Sequence, residues 1–351
     1  MKSLAFLCLM MPFNINFEQR RPGNISTSII AKGQMPNLAI DKSGNAHLVY
    51  GTGENIMYEQ SNDGGKTFSM PSLVSKLPGL SAAAMRGPQI ACTLEGLTIL
   101  AANVSGNIYS YRKDGGGHWI EGARVNDIDA IAKEGLMALS GDGETLFAVW
   151  LDLRGNMRNK IVGAKSTDAG KTWSKNVLIY ASPDSSVCEC CKPSVAVKGN
   201  KVFIMFRNSL HGNRDLYLIG STDEGNHFGN AEKLGNGSWP LNGCPMDGGG
   251  IVISTRNIPQ TVWRRQGKIF ACEPGKPEIE IGGGSGCSIE SVNGKIVYAW
   301  TENGEVVCVL PQGRKQHLGK GALPIIKAVN NEHIICIWEN EKQVHKAVLG
   351  L

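Results

Sequence analysis

Thiol and thioether groups gather in two short segments of the chain. The first contains Cys188, Cys190 and Cys191, and the second contains Cys244 and Met246. Cys244 could form a disulfide with one of the other three cysteines. Thiolates with a thioether suit copper(I), and thiolates with a carboxylate suit zinc. The thiols could also stay free and be redox-active, so the residues alone leave a disulfide, a metal site and reactive thiols open.

The composition indicates a folded protein rich in turns. Its 351 residues are 42% hydrophobic and 19% charged, which excludes a disordered chain. The 44 glycines show no G-x-y period, which excludes collagen. The net charge of +5 comes without a basic run, so we expect no nucleic-acid partner. No apolar stretch is long enough for a transmembrane helix, and we expect a monomer.

The N-terminus has the pattern of an export signal. Lys2 is followed by an apolar run over residues 4–11, as in the hydrophobic region of a short signal peptide. Ten cysteines are also many for a cytosolic protein of this size. We therefore expect residues 1–20 to be a signal peptide and the protein to be periplasmic or extracellular. The alternative is an apolar tail on a cytosolic chain.

The elements that would position these groups begin with a repeated turn. The pattern S-x-D-x-G-x-(T)-(F/W) is centred on Asp63, Asp168 and Asp223, with His227 in place of the threonine in the third copy, and a degenerate copy is centred on Asp114. Successive aspartates are 51, 54 and 55 residues apart. An Asp side chain accepts backbone N–H bonds inside a tight turn, and glycine permits a positive φ. The four aspartates are therefore predicted to be structural.

A second repeat surrounds the first. Each unit has a short strand, a turn and a strongly apolar strand, and no run of ten residues has helical periodicity. The seven pairs are 36–40 with 46–50, 88–92 with 97–101, 136–139 with 145–150, 193–197 with 201–206, 249–254 with 260–263, 288–292 with 295–300, and 323–328 with 333–338. A third strand precedes each turn motif and a fourth follows it.

This rhythm predicts an all-β chain, with residues 24–351 forming a single β-propeller domain of four-stranded blades. We expect seven blades, with six as the alternative, because the last three units lack the turn motif. The last unit ends after three strands, while residues 25–31 form an unused strand-like run. We predict that this run completes the last blade, since an open ring would leave an unpaired edge.

Such a ring would bring distant residues to one rim, where first strands begin and second strands end. The charged residues placed there are Arg86, Asp152, Arg154, Arg207, Asp247 and Arg264. Four arginines on one rim indicate an anionic ligand, whereas the alternative for each is an ion pair with a neighbouring aspartate. The two cysteine segments become neighbours on the same rim. Three glycines after Asp247 indicate a close approach of the backbone, for example to a ligand.

The four turns resemble the Asp boxes of the sialidase (BNR-repeat) superfamily. The resemblance covers residues 34–235 by motif, and the remainder by strand rhythm. It implies a secreted propeller that binds, and in the catalytic members hydrolyses, an acidic glycan or glycoconjugate. Sialidases hold the substrate carboxylate with three arginines, whose planar fork suits a carboxylate. They use a Tyr nucleophile paired with a Glu, and an Asp as acid/base.

Residue by residue, the resemblance implies specific roles. The segment 145–154, which runs into the turn motif of Asp168, is similar to a sialidase blade and makes Asp152 the acid/base candidate. Arg86, Arg207 and Arg264 become the carboxylate clamp, with Arg154 and Asp247 as further substrate-binding residues. The chain departs from the family where Cys287 stands at the expected place of the Tyr nucleophile. The alternative is therefore a non-catalytic binding propeller, whose cysteine segments form a disulfide or bind copper or zinc.

Overall fold

The structure, a computed structural model, describes residues 26–351 apart from the side chain of Gln312. The predicted signal peptide at residues 1–20 lies outside the described residues. Within them, 28 β-strands form seven four-stranded antiparallel sheets. The prediction of a seven-bladed β-propeller is therefore confirmed. No helix in residues 26–351 has the length and apolar character that crossing a bilayer requires.

The strands follow the chain around the ring, starting with β1 (Thr27–Lys32). Blade 1 contains β2 (Gln34–Ile40), β3 (Ala46–Thr52), β4 (Asn55–Ser61) and β5 (Ser72–Lys76). Blade 2 contains β6 (Gln89–Cys92), β7 (Leu97–Ala102), β8 (Ile108–Lys113) and β9 (Trp119–Arg124). Blade 3 contains β10 (Met137–Asp142), β11 (Thr145–Asp152), β12 (Lys160–Ser166) and β13 (Val177–Tyr180). Blade 4 contains β14 (Ser194–Lys198), β15 (Lys201–Arg207), β16 (Leu216–Ser221) and β17 (Glu232–Lys233).

The last three blades have the same plan. Blade 5 contains β18 (Gly249–Ile253), β19 (Pro259–Arg265), β20 (Lys268–Cys272) and β21 (Ile279–Gly283). Blade 6 contains β22 (Ser285–Val292), β23 (Lys295–Glu302), β24 (Glu305–Val309) and β25 (Lys315–Lys320), with a short 3-10 helix (Pro311–Gly313) before β25. Blade 7 contains β26 (Ala322–Ala328), β27 (His333–Asn340), β28 (Gln343–Gly350) and β1.

The N-terminal strand closes the ring, as predicted. β1 pairs with β28 in antiparallel register, with Thr27 opposite Ala347 and Lys32 opposite Gln343. The first strands of neighbouring blades contact one another in order, and β26 of blade 7 contacts β2 of blade 1. Pairing with β1 leaves β28 without a free edge, which is the physical advantage of closure.

The apolar core lies between neighbouring blades rather than at one centre. Buried side chains form seven clusters, each of which joins two successive blades. Phe147 of blade 3 packs in one cluster with Ile204 of blade 4, and Ile335 of blade 7 packs in another with Leu48 of blade 1. Second strands are covered on both faces, which explains why their sequences are almost continuously apolar.

The aspartates of the repeated turns hold their hairpins together through hydrogen bonds. The Asp63 carboxylate accepts a hydrogen bond from the Ser61 hydroxyl at 2.8 Å and one from the Thr67 amide at 2.9 Å. Asp168 and Asp223 accept equivalent bonds within their own turns. The bonds from Thr67 and Ser61 hold the pKa of Asp63 below its usual range.

The turns also join neighbouring blades. Gly225 has a φ of +81°, and a β-carbon there would lie 2.3 Å from the Phe147 ring of the preceding blade. Gly170 packs in the same way against Thr98 of blade 2. Glycine is required at these positions by the positive φ and by the close contact together. The turns of Asp168 and Asp223 therefore stabilise interfaces between two blades.

Candidate functional site

Both cysteine segments lie in loops that lead into the first strands of adjacent blades. One loop precedes β14 and the other precedes β18. Ser194 at the start of β14 pairs with Met205 near the end of β15, and β18 pairs with β19 in the same antiparallel way. The two loops therefore lie at the same end of the ring as Arg207 and Arg264, at the ends of β15 and β19.

A disulfide joins the two loops. Cys190 and Cys244 are bonded through their sulfur atoms, with their Cα atoms 6.2 Å apart. Of the three possibilities that the sequence left open, the structure has the disulfide between Cys244 and one of the other three cysteines, and the partner is Cys190. The bond connects two segments that contain no regular secondary structure and are 54 residues apart in the chain.

Two free thiols lie beside this disulfide. Cys188 Sγ is 3.5 Å from Cys191 Sγ and 3.8 Å from Cys190 Sγ. The sulfurs of these three cysteines are close enough to hold a metal ion together. With Cys190 in a disulfide, however, Cys188 and Cys191 are the thiols left in the cluster, fewer than the four ligands of a structural zinc site. Met246, the predicted thioether ligand, is 54% exposed.

The two thiols differ in acidity. The hydrogen bond with Cys191 lowers the pKa of Cys188 to about 7, and the nearby charges of Arg214 and Arg207 act in the same direction. Burial raises the pKa of Cys191 well above its usual range. Cys188 is therefore the thiol of this pair that ionises first.

Arg207 and Arg264 meet between blades 4 and 5. Arg207 is only 2% exposed and donates hydrogen bonds to the carbonyl oxygens of Arg214 and Arg264, at 2.7 and 2.9 Å. The Trp239 ring centre lies 5.4 Å from Cζ of Arg207 and 5.7 Å from Cζ of Arg264. Within the described chain neither arginine has a hydrogen-bond acceptor for its Nε–H group. One aromatic ring thus positions two cations through cation–π contacts.

Asp247 places a buried carboxyl beside these arginines. Its Oδ2 lies 3.8 Å from Nη1 of Arg264 and accepts a 3.2 Å hydrogen bond from the Gly286 amide. Its Oδ1 is buried without a hydrogen-bond partner in residues 26–351. Burial raises the pKa of Asp247, although the charges of Arg207 and Arg264 oppose this. A carboxyl with a raised pKa is suited to donate a proton as a general acid.

A central cavity of about 430 Å³ opens beside Asp247 and is walled by the first strands of the blades. The charged residues in its wall are Lys192, Asp247, Glu290, Lys327 and Glu339. Lys192 donates from Nζ to Oε1 of Gln89 at 2.8 Å, and burial lowers the pKa of Lys192 to about 8. Glu290 and Lys327 form their own ion pair at 3.3 Å. The cavity therefore presents the Lys192 amine to any anionic group that enters.

The glycine run after Asp247 packs against the protein itself. A β-carbon at Gly248 would lie 2.7 Å from the Lys192 carbonyl oxygen, and one at Gly249 would lie 2.4 Å from Cε of Met205. The close approach indicated by the sequence thus joins the loops of blades 4 and 5. These contacts fix Asp247 next to the loop that carries the other cysteines.

The remaining predicted site residues find partners in blades 2 and 3. Asp152 is fully buried and accepts hydrogen bonds from Nε1 of Trp150 at 2.9 Å and from Nε of Arg154 at 2.8 Å. Arg86 pairs with Glu134, with Nη2 and Oε2 3.4 Å apart. The structure therefore brings together Arg207, Arg264, Asp247 and the cysteines, whereas Arg86, Asp152 and Arg154 are engaged locally.

Two residues of this site escaped the sequence analysis. Trp239 lies in the long loop between β17 and β18, where no strand pattern indicates its position. Lys192 directly follows Cys191 and precedes Pro193, at the start of a predicted first strand. Because first strands begin at the end of the ring where the cavity opens, this position was the one sequence feature that could have indicated that Lys192 lines the cavity.

No family model and no curated protein matches this chain. Solved structures are similar to it at low identity. The GH93 α-L-arabinofuranosidase of Fusarium graminearum, in complex with arabinobiose, is 15% identical with a TM-score of 0.53, over 91% of this chain and 93% of that one. A PL25 ulvan lyase is 11% identical with a TM-score of 0.55, over 93% and 95%.

A third similar structure is that of YCF48 bound to D1 peptide. It is 11% identical with a TM-score of 0.57, over 93% of this chain and 96% of that one. A carbohydrate hydrolase, a polysaccharide lyase and a peptide-bound protein thus share this architecture. Since one fold hosts unrelated functions, these similarities establish the β-propeller fold of the chain, and its function has to be argued from the site.

Proposed function

We propose that this chain is an exported, sialidase-like propeller that binds an acidic glycan at the opening between blades 4 and 5. One observation carries the proposal: Arg207 is a buried guanidinium with no carboxylate partner among the described residues. A buried charge is costly unless it is paired. A carboxylate of the ligand would supply the missing negative charge.

The surroundings of Arg207 add to this excess of positive charge. Arg214 and Lys192 also lack an ion-pair partner within residues 26–351. Asp247 is the carboxyl that lies beside these cations. The side chain of Arg264 is 28% exposed and can reach a ligand from the opening. Arg264 would therefore bind the carboxylate directly, while the buried Arg207 would strengthen the positive potential behind it.

Hydrolysis would need a proton donor, and two carboxyl groups are candidates. Asp152 is the candidate from the family resemblance, but its carboxylate is already held by Arg154 and Trp150. Asp247 has a free oxygen, a pKa raised by burial and a place beside the cavity. We therefore assign the proton-donating role to Asp247.

Export is supported by the cysteine chemistry. Structural disulfides persist in oxidising compartments and are rare in the cytosol. The Cys190–Cys244 bond is compatible with that environment, as is the signal-like pattern before the propeller.

Binding can be tested by titration calorimetry with 3′-sialyllactose, with a hexuronate oligosaccharide and with neutral lactose. We expect the acidic ligands to bind and lactose not to bind. Arg264→Gln should weaken binding about tenfold or more, because a hydrogen bond to a charged group contributes roughly 1.5–3 kcal/mol. Arg256→Gln is the matched control, because this exposed arginine lies on the same blade at the opposite end of β18.

Cleavage can be tested with a fluorogenic sialoside. Activity in the wild type, lost in Asp247→Asn, would support a glycosidase with Asp247 as the acid. Loss in Asp152→Asn alone, in a variant shown to be folded, would return the role to Asp152. Failure of every acidic glycan to bind, together with stoichiometric copper or zinc in the purified protein, would refute the proposal in favour of a metal-binding propeller.

A further inference from the structure

Four sulfur atoms form one continuous cluster at the junction of blades 4 and 5. Cys190 is bonded to Cys244, and its Sγ lies 3.8 Å from that of Cys188 and 3.9 Å from that of Cys191. The two free thiols are 3.5 Å apart, closer to each other than either is to the disulfide. Each thiol can therefore approach both the other thiol and a sulfur of the disulfide after only a small movement.

Solvent exposure within the cluster decreases from Cys244 to the two free thiols. Cys244 is exposed and Cys190 is half-buried. Cys188 and Cys191 are only 1% and 2% exposed. An external reagent therefore meets Cys244 first and cannot reach the two buried thiols directly.

The buried thiols are held in place by the end of blade 4. The Cys188 amide donates a 3.0 Å hydrogen bond to the Arg207 carbonyl oxygen, and the preceding Val187 forms a β-bridge with Asn208. Cys188 Sγ is thereby held 3.8 Å from Cys190 Sγ and 3.5 Å from Cys191 Sγ. A thiol packed against a disulfide in this way is placed for exchange, in which the thiolate is the nucleophile.

We propose that this cluster is a thiol–disulfide exchange site, in which the buried Cys188–Cys191 pair passes two electrons through the Cys190–Cys244 disulfide to an external low-molecular-weight disulfide. The activity is separate from glycan binding, since it uses the sulfurs and not the side chain of Arg264.

The exchange balances in four steps. The Cys188 thiolate attacks Cys190 Sγ, which forms a Cys188–Cys190 bond and releases Cys244 as a thiolate. Cys191 transfers its proton to Cys190 as it attacks Cys188, which forms a Cys188–Cys191 disulfide and frees the Cys190 thiol. The exposed Cys244 thiolate then attacks the external disulfide RSSR and releases one RS⁻.

In the last step, the Cys190 thiol attacks Cys244, expels the second RS⁻ and gives up its proton to it. The Cys190–Cys244 bond is thereby restored. The first RS⁻ takes up from water the proton that Cys188 released when it ionised. The net reaction converts two buried thiols and one RSSR into a Cys188–Cys191 disulfide and two RSH. The buried pair is oxidised and the external disulfide is reduced.

Peptide mapping of the full chain tests the end state. The protein is equilibrated with mixtures of reduced and oxidised glutathione, quenched in acid, alkylated and digested. We expect Cys190–Cys244 alone at intermediate ratios, and both Cys190–Cys244 and Cys188–Cys191 at the most oxidising ratio. If Cys188 and Cys191 remain alkylated at every ratio, the disulfide is purely structural and the proposal fails.

Variants test the route. In Cys191→Ser the second step is lost, so a Cys188–Cys190 disulfide should accumulate, with Cys244 free or, once oxidised glutathione is present, in a mixed disulfide with glutathione. In the double variant Cys190→Ser/Cys244→Ser the relay is absent, so oxidised glutathione should oxidise the buried pair at least tenfold more slowly. Cys92→Ser, at a half-buried cysteine on blade 2 outside the cluster, is the control and should match the wild type. Equal oxidation rates in the double variant and the wild type would overturn the relay.

Discussion

Asp152 and Arg154 show how neighbouring groups decide the role of a charged residue. Asp152 is fully buried, and its two oxygens accept hydrogen bonds from Nε1 of Trp150 and from Nε and Nη2 of Arg154. Arg154 also reaches Asp127 at 3.1 Å. Arg207 is buried like Asp152, but its guanidinium donates hydrogen bonds only to carbonyl oxygens. The first arrangement is an internally satisfied ion pair, whereas the second leaves a charge available to a ligand.

Arg154→Met should therefore destabilise the protein strongly, because it would leave the Asp152 carboxyl buried without its cation. Breaking a buried pair in this way costs about 3 kcal/mol or more. Urea unfolding monitored by tryptophan fluorescence measures the loss. Arg124→Met is the control, because Arg124 pairs with an aspartate, Asp129, that is 73% exposed, and it should cost less than about 1 kcal/mol. Equal losses in the two variants would contradict the structural role of the Asp152 pair.

At the scale of elements, long loops carry the site and side chains from the next blade hold them. Glu278, just before β21, accepts hydrogen bonds from the amides of Asn236 and Gly237. It also forms a 2.7 Å ion pair with Arg265 of β19. These contacts fasten the start of the loop that carries Trp239, Cys244 and Asp247. The position of the candidate site therefore depends on an interface between two blades.

This anchor should make stability depend on pH. Burial alone would raise the pKa of Glu278, but hydrogen bonds from the amides of Asn236 and Gly237 and from the Arg265 side chain outweigh it and lower the pKa to about 2. The pKa of a glutamate in the unfolded chain is about 4.3. Because the pKa of Glu278 is lower in the folded protein, its full contribution to the free energy of unfolding is present above pH 4.3. It is lost as the pH falls toward 2.

Glu278→Gln should thus lower the free energy of unfolding by about 1–2 kcal/mol at pH 7, after allowance for solvent screening. The difference from the wild type should shrink between about pH 4.5 and pH 2, measured by urea unfolding across that range. Glu280→Gln, at an exposed glutamate two residues further along, should show a small difference that does not change in the same way. A constant difference for Glu278→Gln would count against the anchor.

At the scale of the whole molecule, closure by β1 holds the first and last blades together. Ala31 of β1 is 6% exposed and packs with Ile335 of blade 7 and Leu48 of blade 1 in one buried cluster. Ile29 of the same strand is 54% exposed. The strand therefore contributes both backbone pairing to β28 and one face to the core.

Ala31→Asp should lower the free energy of unfolding by about 3 kcal/mol, because it buries an unpaired charge at the closure. Ile29→Asp, on the exposed face of the same strand, should cost less than about 1 kcal/mol. Urea unfolding compares the two, and gel filtration reports whether release of β1 exposes β28 to self-association. Similar small losses in both variants would mean that β1 is not needed for closure.

Local patterns in the sequence were enough to predict the blades. Three features were sufficient, and each is visible in the linear sequence. They are the alternation of apolar residues, the recurrence of the turn motif at Asp63, Asp114, Asp168 and Asp223, and the missing fourth strand of the last unit. Strand formation and turn hydrogen bonds depend on residues a few positions apart, so these features can be read without coordinates. The seven blades and the closing strand follow from them.

The composition of the site could not be predicted in the same way. Cys190 and Cys244 are 54 residues apart, and nothing local distinguishes Cys190 from Cys188 or Cys191 as the partner. Arg154 meets a carboxylate two positions away, whereas Arg207 lies against residues of the next blade and finds none. Pairing, burial and acidity depend on the distances between groups on different blades, and those distances exist only once the ring has closed.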